Sequence, residues 1–544
     1  MPIQLHCNAE RKFTIMQSLP ASLRRASLPA TVFLLSFFTL TTWAQKAPAA
    51  AQTASERRAE LSLQAVRNDP LALHTLLMGM PKGADLHNHL SGAVYAESFI
   101  RAAVEDGLCI DPASNAFSKP QSVSTATPPE PVCGEGKVPA ARALKDQHLY
   151  DALVNSFSMR SFVPSAGVSG HDHFFDTFGK FSGTGVRHIG EWLDEVASRA
   201  AAQNEQYLEL MANASATRLY SIVEEVEWSD DFKQMRDELL ARGLRDDVAA
   251  AHTYWDQAEA SRRQIEHCGA TEESPACKVA ERYVFQVSRG NPKKLVFAQA
   301  LLGFEITSAD PRIVGVNFVQ PEDGYTSMTD YVLQMRMVGF LHEQYPKVHI
   351  SLHAGELAPG LVPPDGLCCH IRLAVEDAHA ERIGHGVDVM YEDRPHELLK
   401  EMAKRHVMVE INLTSNDVIL GVKGKDHPFP LYRLFHVPVA LSTDDEGVSR
   451  IDLTNEYVRA VQTYGLTYAD LKQMVRTGLE HSFLPGASLW READVFGPVA
   501  GACARDILGA EKPSAPCVAF LSANEKAQQQ WELEKRFLDW EKRL

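Results

Sequence analysis

Short apolar runs recur along this chain at 83–90, 207–212, 294–302, 312–319, 348–353, 382–389, 407–413 and 437–442. Each has the length of a strand, and most are separated by stretches of helical periodicity, such as 328–344 and 398–406. Strands alternating with helices build a parallel sheet, and eight such units predict an α/β fold closed into a (β/α)8 TIM barrel. The alternative is an open doubly wound sheet, which lacks support because no Gly-x-Gly-x-x-Gly follows an early strand.

Other patterns surround the barrel. Residues 46–58 are rich in Ala, Gln and Ser and read as a tether, and 59–79 repeat leucines at helical spacing. A helix is expected over 95–104. A Pro-, Ser-, Thr- and Gly-rich insertion follows at about 107–140. Residues 145–205 read as mostly helical. The connection 215–293 is charged and helix-rich, a helical insertion after strand 2. C-terminal helices over 453–464, 468–483 and 525–544 would complete the outer ring.

The first 44 residues stand apart. Arg24 and Arg25 precede an apolar run over 28–40, and small residues around Ala44 follow, the order of a secretory signal peptide. This divides the chain into a leader (1–44), a tether with N-terminal helical segment (45–80) and a barrel over 81–544. The mature protein is expected to be secreted or periplasmic, with no membrane attachment. The net charge of −16 argues against nucleic acid or an anionic membrane as the main partner. Eight cysteines remain after the leader, and proximity pairs Cys109 with Cys133, Cys268 with Cys277, Cys368 with Cys369, and Cys503 with Cys517. No Cys-x-x-Cys spacing points to metal, so they read as disulfides of an exported chain.

Candidate chemistry gathers at the ends of the strands, where barrel enzymes place their sites. His87 and His89 lie two apart on strand 1 and so share a face. Strand 5 ends His353-Ala354-Gly355-Glu356, strand 6 carries Gly384-His385-Gly386, and strand 8 ends Ser442-Thr443-Asp444-Asp445. Three histidines and a carboxylate suit one catalytic zinc, which makes a water nucleophilic near neutrality. A second pair, His171 and His173, follows Ser169-Gly170 rather than an apolar strand, and reads as a loop or helix N-terminus.

The segments 80–90, His353-Ala354-Gly355-Glu356, Gly384-His385-Gly386 and Ser442-Thr443-Asp444-Asp445 resemble the adenosine deaminase family in order and spacing, across about residues 70–490. The signal peptide and cysteine-bracketed loops resemble its secreted branch, the adenosine-deaminase-related growth factors. The resemblance implies that His87, His89, His353 and Asp444 hold one zinc ion. Glu356 would carry a proton to the purine ring, His385 would help activate the water, and Asp445 would bind the far purine edge. The reaction implied is hydrolytic deamination of adenosine or 2′-deoxyadenosine. Strand 4 carries no lysine to bridge a second metal, in favour of a single ion. The N-terminal helical segment occupies the region those growth factors use for dimerisation, which points to a homodimer.

Departures from the family concern substrate recognition. Gln320 stands where deaminases commonly have a glycine beside the purine, Ser91 where many have an aspartate near the ribose, and Glu446 where a proline is usual. Ser91, Gly92, Gln320, Phe178 and Phe181, with Glu356 and Asp445, are the expected substrate contacts. Two other readings stay open: an aminohydrolase for another aminopurine nucleoside or base, and a growth-factor-like binding protein with residual activity.

Overall fold

Eight parallel strands, hydrogen-bonded in sequence order, make the barrel wall: β1 (Gly83–His89), β2 (Glu205–Met211), β3 (Ala280–Ser288), β4 (Ile313–Val319), β5 (His349–Ala354), β6 (Arg382–His385), β7 (Met408–Ile411) and β8 (Val439–Leu441). They come from a computed structural model that describes residues 53–123, 130–184 and 186–544. The leader and the tether up to residue 52 lie outside the described residues.

The ring closes through one residue. The Asp444 N–H donates to the carbonyl of His87 (2.8 Å), and its own carbonyl accepts the N–H of His89 (3.3 Å). The end of β8 is thereby zipped to β1 at the two histidines. Packing holds the wall: Leu86, Leu208, Val316, Ile350, Ile383, Val409 and Leu441 are all buried in the main apolar cluster. Each fully buried aliphatic side chain of this kind contributes about 1.5–3 kcal/mol.

The N-terminal helical segment is two helices, α1 (Ala54–Val66) and α2 (Pro70–Gly79). The break lies at Asp69, whose carboxylate caps α2 by accepting the N–H groups of Leu71 and Ala72, with Pro70 in the first helical position. At the other end the buried Lys82 ammonium donates to the carbonyls of Leu77 (2.7 Å), Met80 (3.1 Å) and Gln203 (2.6 Å), which fastens α2 to the foot of β1. Because α1 begins at Ala54, part of the stretch read as tether is helical.

The excursion after β1 is a small antiparallel sheet of Cys109–Asp111, Ala116–Ser118 and Val138–Pro139, clipped by the Cys109–Cys133 disulfide. Beyond it, α3 (Gly170–Lys180) carries the second histidine pair at its N-terminus, behind a capping box of Ser169 and Asp172. All four expected disulfides are formed.

The third strand corrects the sequence reading. Residues 294–302 are not a strand but part of α4 (Lys293–Ala309), and β3 lies earlier, inside what reads as the helical insertion. α4 is buried along most of its length, so its apolar residues show no polar face. A continuous apolar run of that kind does not separate strand from buried helix. β3 was obscured by Glu281, Arg282 and Gln286, polar residues within an otherwise buried strand. The helical insertion therefore ends before β3, after Thr217–Glu225, Phe232–Ala241 and Asp246–Ile265. Beyond β4 and β8, α5 (Tyr325–Gln344) and α6 (Glu525–Arg543) belong to the outer layer, α6 supplying Leu533 and Phe537 to the main cluster.

Candidate active site

Four donor side chains converge at the C-terminal end of the barrel. His87 and His89 come from β1, His353 from β5 and Asp444 from just past β8, and one donor atom from each lies within 4.8 Å of the others. The Nε2 atoms of His89 and His353 are 3.2 Å apart. Asp444 Oδ1 is 3.5 Å from His87 Nε2 and 3.3 Å from His89 Nε2. All four are buried.

Each donor is held from behind. The outer Nδ1 of His87 meets Glu410 Oε2 at 2.7 Å, that of His89 meets Gln286 Oε1 at 2.9 Å, and that of His353 meets Asn317 Oδ1 at 3.0 Å. Ser415 Oγ donates to Asp444 Oδ2 at 2.7 Å. With Nδ1–H donating outward, the Nε2 lone pairs face the centre, the arrangement by which proteins orient metal-ligating imidazoles. His87 Nε2, buried, has no hydrogen-bond partner among the described residues. The donor set and this orphaned atom fit a transition-metal ion held by three imidazoles and a carboxylate.

Electrostatics separate the three rings. Burial disfavours charge on His87, yet Asp444 and Glu410 outweigh it and push the ring up to about 10. Burial lowers His89 to about 4 and takes His353 well below the usual imidazole range. Two rings are thus kept neutral, as ligation requires. The third sits between carboxylates that call for a positive charge in the same space.

Glu356 stands beside this cluster. Gly355 before it has φ +74°, a conformation that glycine adopts without strain, and a side chain there would strike Asp388 Oδ1 at 2.5 Å and Ile371. The turn lifts Glu356 out of the line of β5 and into the cavity. Burial, then the charges of Asp444 and Glu322, push its carboxyl up to about 8. His385 Nε2 lies 3.7 Å from Glu356 Oε1 and 3.8 Å from Asp444 Oδ2, and is buried without a hydrogen-bond partner among the described residues. Its Nδ1 is held at 2.9 Å by Asn416 Oδ1, and burial lowers the ring to about 4. Asp445, next to Asp444 in the chain, is raised well above the usual carboxylate range by burial and by Asp444.

A cavity of about 580 Å³ opens over these groups, lined by His89, His353, Glu356, Asp444 and Asp445 together with Ser91, Gln286, Gln320, Phe174, Phe175 and Phe178. Ser91, Gln320 and Phe178, expected as substrate contacts, all line this cavity. Gln320 has φ +81°, and its Oε1 accepts the N–H of Gly290 at 2.9 Å. Phe181 is elsewhere: it stacks on Phe99 with ring centres 4.3 Å apart in a separate apolar cluster and does not line the cavity. Gly92 sits behind the wall, where a Cβ would come within 1.6 Å of Asp445 Oδ1. His171 pairs with Asp323 at 2.9 Å and stays outside the metal-donor group, as its setting at a helix N-terminus implied.

Sequence reasoning missed the residues behind the clustered donors: Gln286, Asn317, Glu410 and Ser415. Two carried a signal. Asn317 and Glu410 are lone polar residues inside apolar strands, and a buried polar group in such a place needs a partner.

The sequence profile of the adenosine deaminase family matches residues 260–490. That stretch holds His353, Glu356, His385, Asp444 and Asp445. An adenosine deaminase of Pectobacterium atrosepticum is 31% identical over 182 residues, covering 33% of this chain and 48% of the relative. One from Clostridium perfringens strain 13 is 34% identical over 135 residues, covering 25% and 37%. Over residues 260–490 the chain is similar to the adenosine deaminase family. It spans less than half the length of these curated relatives. Among solved structures, an adenine deaminase of Arthrobacter aurescens superposes with a TM-score of 0.48 at 16% identity, covering 74% of this chain and 94% of that one. β1, which carries His87 and His89, lies upstream of the matched stretch.

Proposed function

We propose that the protein is a zinc-dependent aminohydrolase that converts adenosine or 2′-deoxyadenosine and water to inosine or 2′-deoxyinosine and ammonia. The observation that carries this reading is the convergence, in one cavity, of a three-histidine, one-aspartate donor set with a carboxyl group, Glu356, whose pKa is pushed up to about 8. A single zinc ion held by His87, His89, His353 and Asp444 would supply Lewis acidity and a water of lowered pKa.

The chain's own residues account for the rest. Glu356, whose carboxyl burial pushes well above the usual range, is the group to deliver a proton to the purine ring nitrogen beside the amino-bearing carbon, making that carbon electrophilic. His385, kept neutral by burial, faces both Glu356 and Asp444 with a free Nε2 and is placed to take a proton from the attacking water. Asp445 has a buried Oδ1 without a hydrogen-bond partner among the described residues and would meet the far edge of the purine. Phe174, Phe175 and Phe178 form an apolar wall suited to exclude water from a bound base. The lack of lysine in β4 supports one ion rather than two. The four disulfides fit an exported protein, and no helix among the described residues is long and apolar enough to cross a membrane.

A second reading keeps the chemistry and changes the aminopurine. Ser91 and Gln320, both on the cavity wall, favour it, because they replace the residue types that many relatives use near sugar and base. A pure binding role has no use for the Glu356–His385 pair. Glu356→Gln tests the central assignment: it should keep the metal and lose about 100-fold or more in kcat, whereas unchanged kcat would refute the proton-carrier role.

A further inference from the structure

Glu322, just past β4, is a carboxylate that the proposed chemistry leaves without a task. It is buried, 1% exposed, and faces away from bulk water. Its two oxygens divide their work. Oε1 accepts the N–H of Gly355 at 3.0 Å, and Oε2 accepts the N–H of Glu356 at 2.8 Å. The same Oε1 takes a hydrogen bond from His370 Nδ1 at 2.5 Å. We propose that Glu322 is the positioning residue for Glu356, fixing the turn from which the proton-carrying side chain is aimed; this rests on the aminohydrolase reading above.

The geometry favours aim over mere support. The two N–H groups that Glu322 receives belong to the residues where the backbone leaves β5 through the left-handed Gly355. A carboxylate that grips two successive N–H groups restrains the peptide plane between them, and that plane sets the direction of the Glu356 side chain. The restraint is itself anchored. His370 lies stacked on Tyr331, ring centres 3.6 Å apart, and the Tyr331 hydroxyl donates to the His370 carbonyl at 3.0 Å. Arg289, also buried, lies 3.7 Å from Glu322 Oε2 and donates through Nη2 to the carbonyl of His353 at 3.1 Å. One network therefore holds a metal ligand and the proton carrier in fixed relation across the Ala354–Gly355 turn. A buried carboxylate is a costly way to brace a loop, since apolar residues of similar volume commonly do so at no loss of stability. Its placement is explained when the braced element has to be held in one orientation for reaction.

The test is a double-substitution cycle on the full-length zinc-loaded protein. kcat, KM, bound zinc and melting temperature are measured for the unsubstituted chain, Glu322→Gln, Glu356→Gln and the pair, with adenosine. Gln offers one acceptor oxygen where the carboxylate offers two, so one N–H is released and Glu356 is free to swing. The expected result is a fall in kcat of about 10- to 100-fold for Glu322→Gln, with KM changed by less than about threefold and zinc content unchanged. In the Glu356→Gln background the same substitution should cost nothing further, because its effect passes through Glu356. An equal loss in both backgrounds, or no loss in either, would overturn the proposal. If Glu322→Gln does not yield folded protein, His370→Asn leaves both oxygens present but unanchored and carries the same pair of expected and contrary outcomes. Absence of turnover by the unsubstituted chain with adenosine and other aminopurines would overturn the aminohydrolase reading and this inference together. Turnover with additive losses overturns the inference alone.

Discussion

Glu410 holds Nδ1 of His87 at 2.7 Å, and neither side chain is exposed. The same carboxylate lies 2.7 Å from Nε of Arg382 and accepts the Ser351 hydroxyl at 2.9 Å. A charged group fixed from three sides presets one imidazole for ligation before any metal arrives. Glu410→Gln keeps the shape but weakens that hold, and outer partners of this kind commonly contribute about 10- to 100-fold in metal affinity. Competition with a chelator, followed by metal analysis, should show that loss. Metal retention equal to that of the unsubstituted chain would contradict it.

Gly92 is expected to tolerate no side chain. A Cβ there would overlap Asp445, its nearest atom being Oδ1 at 1.6 Å, so alanine must displace a carboxylate that lines the cavity. Gly92→Ala should impair kcat/KM by about 10-fold or more while metal content stays the same. Steady-state kinetics beside metal analysis checks this, and kinetics matching the unsubstituted chain would exclude Asp445 from the site.

The C-terminal excursion depends on its cross-link. Cys503 and Cys517, 14 residues apart, are both buried in the cluster formed with Leu489, Trp490 and Trp531. A loop of this size closed by a disulfide stabilises by about 3 kcal/mol in the chain-entropy account. The Cys503→Ser, Cys517→Ser double variant should melt several degrees lower, and reductant should lower the melting temperature of the unsubstituted chain but not by this route that of the variant.

Acid should weaken the fold through Glu322. Burial raises its carboxyl, but the hydrogen bond and charge of His370, then Arg289, outweigh burial and hold it at about 2, below the ordinary 4.5. A carboxylate depressed in the folded state adds stability that is fully present above its unfolded value. That stability is lost as pH falls from about 4.5 through about 2. Denaturant unfolding of the unsubstituted chain and Glu322→Gln should therefore show a difference that is largest near neutrality and shrinks across this window. A difference independent of pH would contradict the assignment.

The barrel and the convergence of the donor side chains were legible for different reasons. His87 and His89 declared themselves by spacing on a strand, and His353, Glu356, His385 and Asp444 by sitting at strand ends, where side chains meet regardless of the loops between. β3 and α4 were exchanged because burial on all sides erases the periodicity that tells strand from helix, while polar residues within β3 disguised its pattern. Phe178 and Phe181 show the limit of local reading: three positions apart on and just beyond α3, one lines the cavity and the other stacks on Phe99. Which of them faces substrate depends on how α3 lies against the barrel, and that is set by partners far away in sequence. Glu322 was hidden for the same reason, since its partners Gly355, Glu356 and His370 come from β5 and beyond.

The central claim is that this chain removes an amino group from a purine nucleoside at a metal held by His87, His89, His353 and Asp444. The most direct measurement is ammonia release, with the accompanying fall in ultraviolet absorbance near the adenosine maximum, from purified zinc-loaded protein given adenosine and a panel of aminopurines. The account predicts turnover of adenosine or 2′-deoxyadenosine that disappears on chelation and returns with one equivalent of zinc per chain. No ammonia from any member of the panel, with zinc bound, would contradict it.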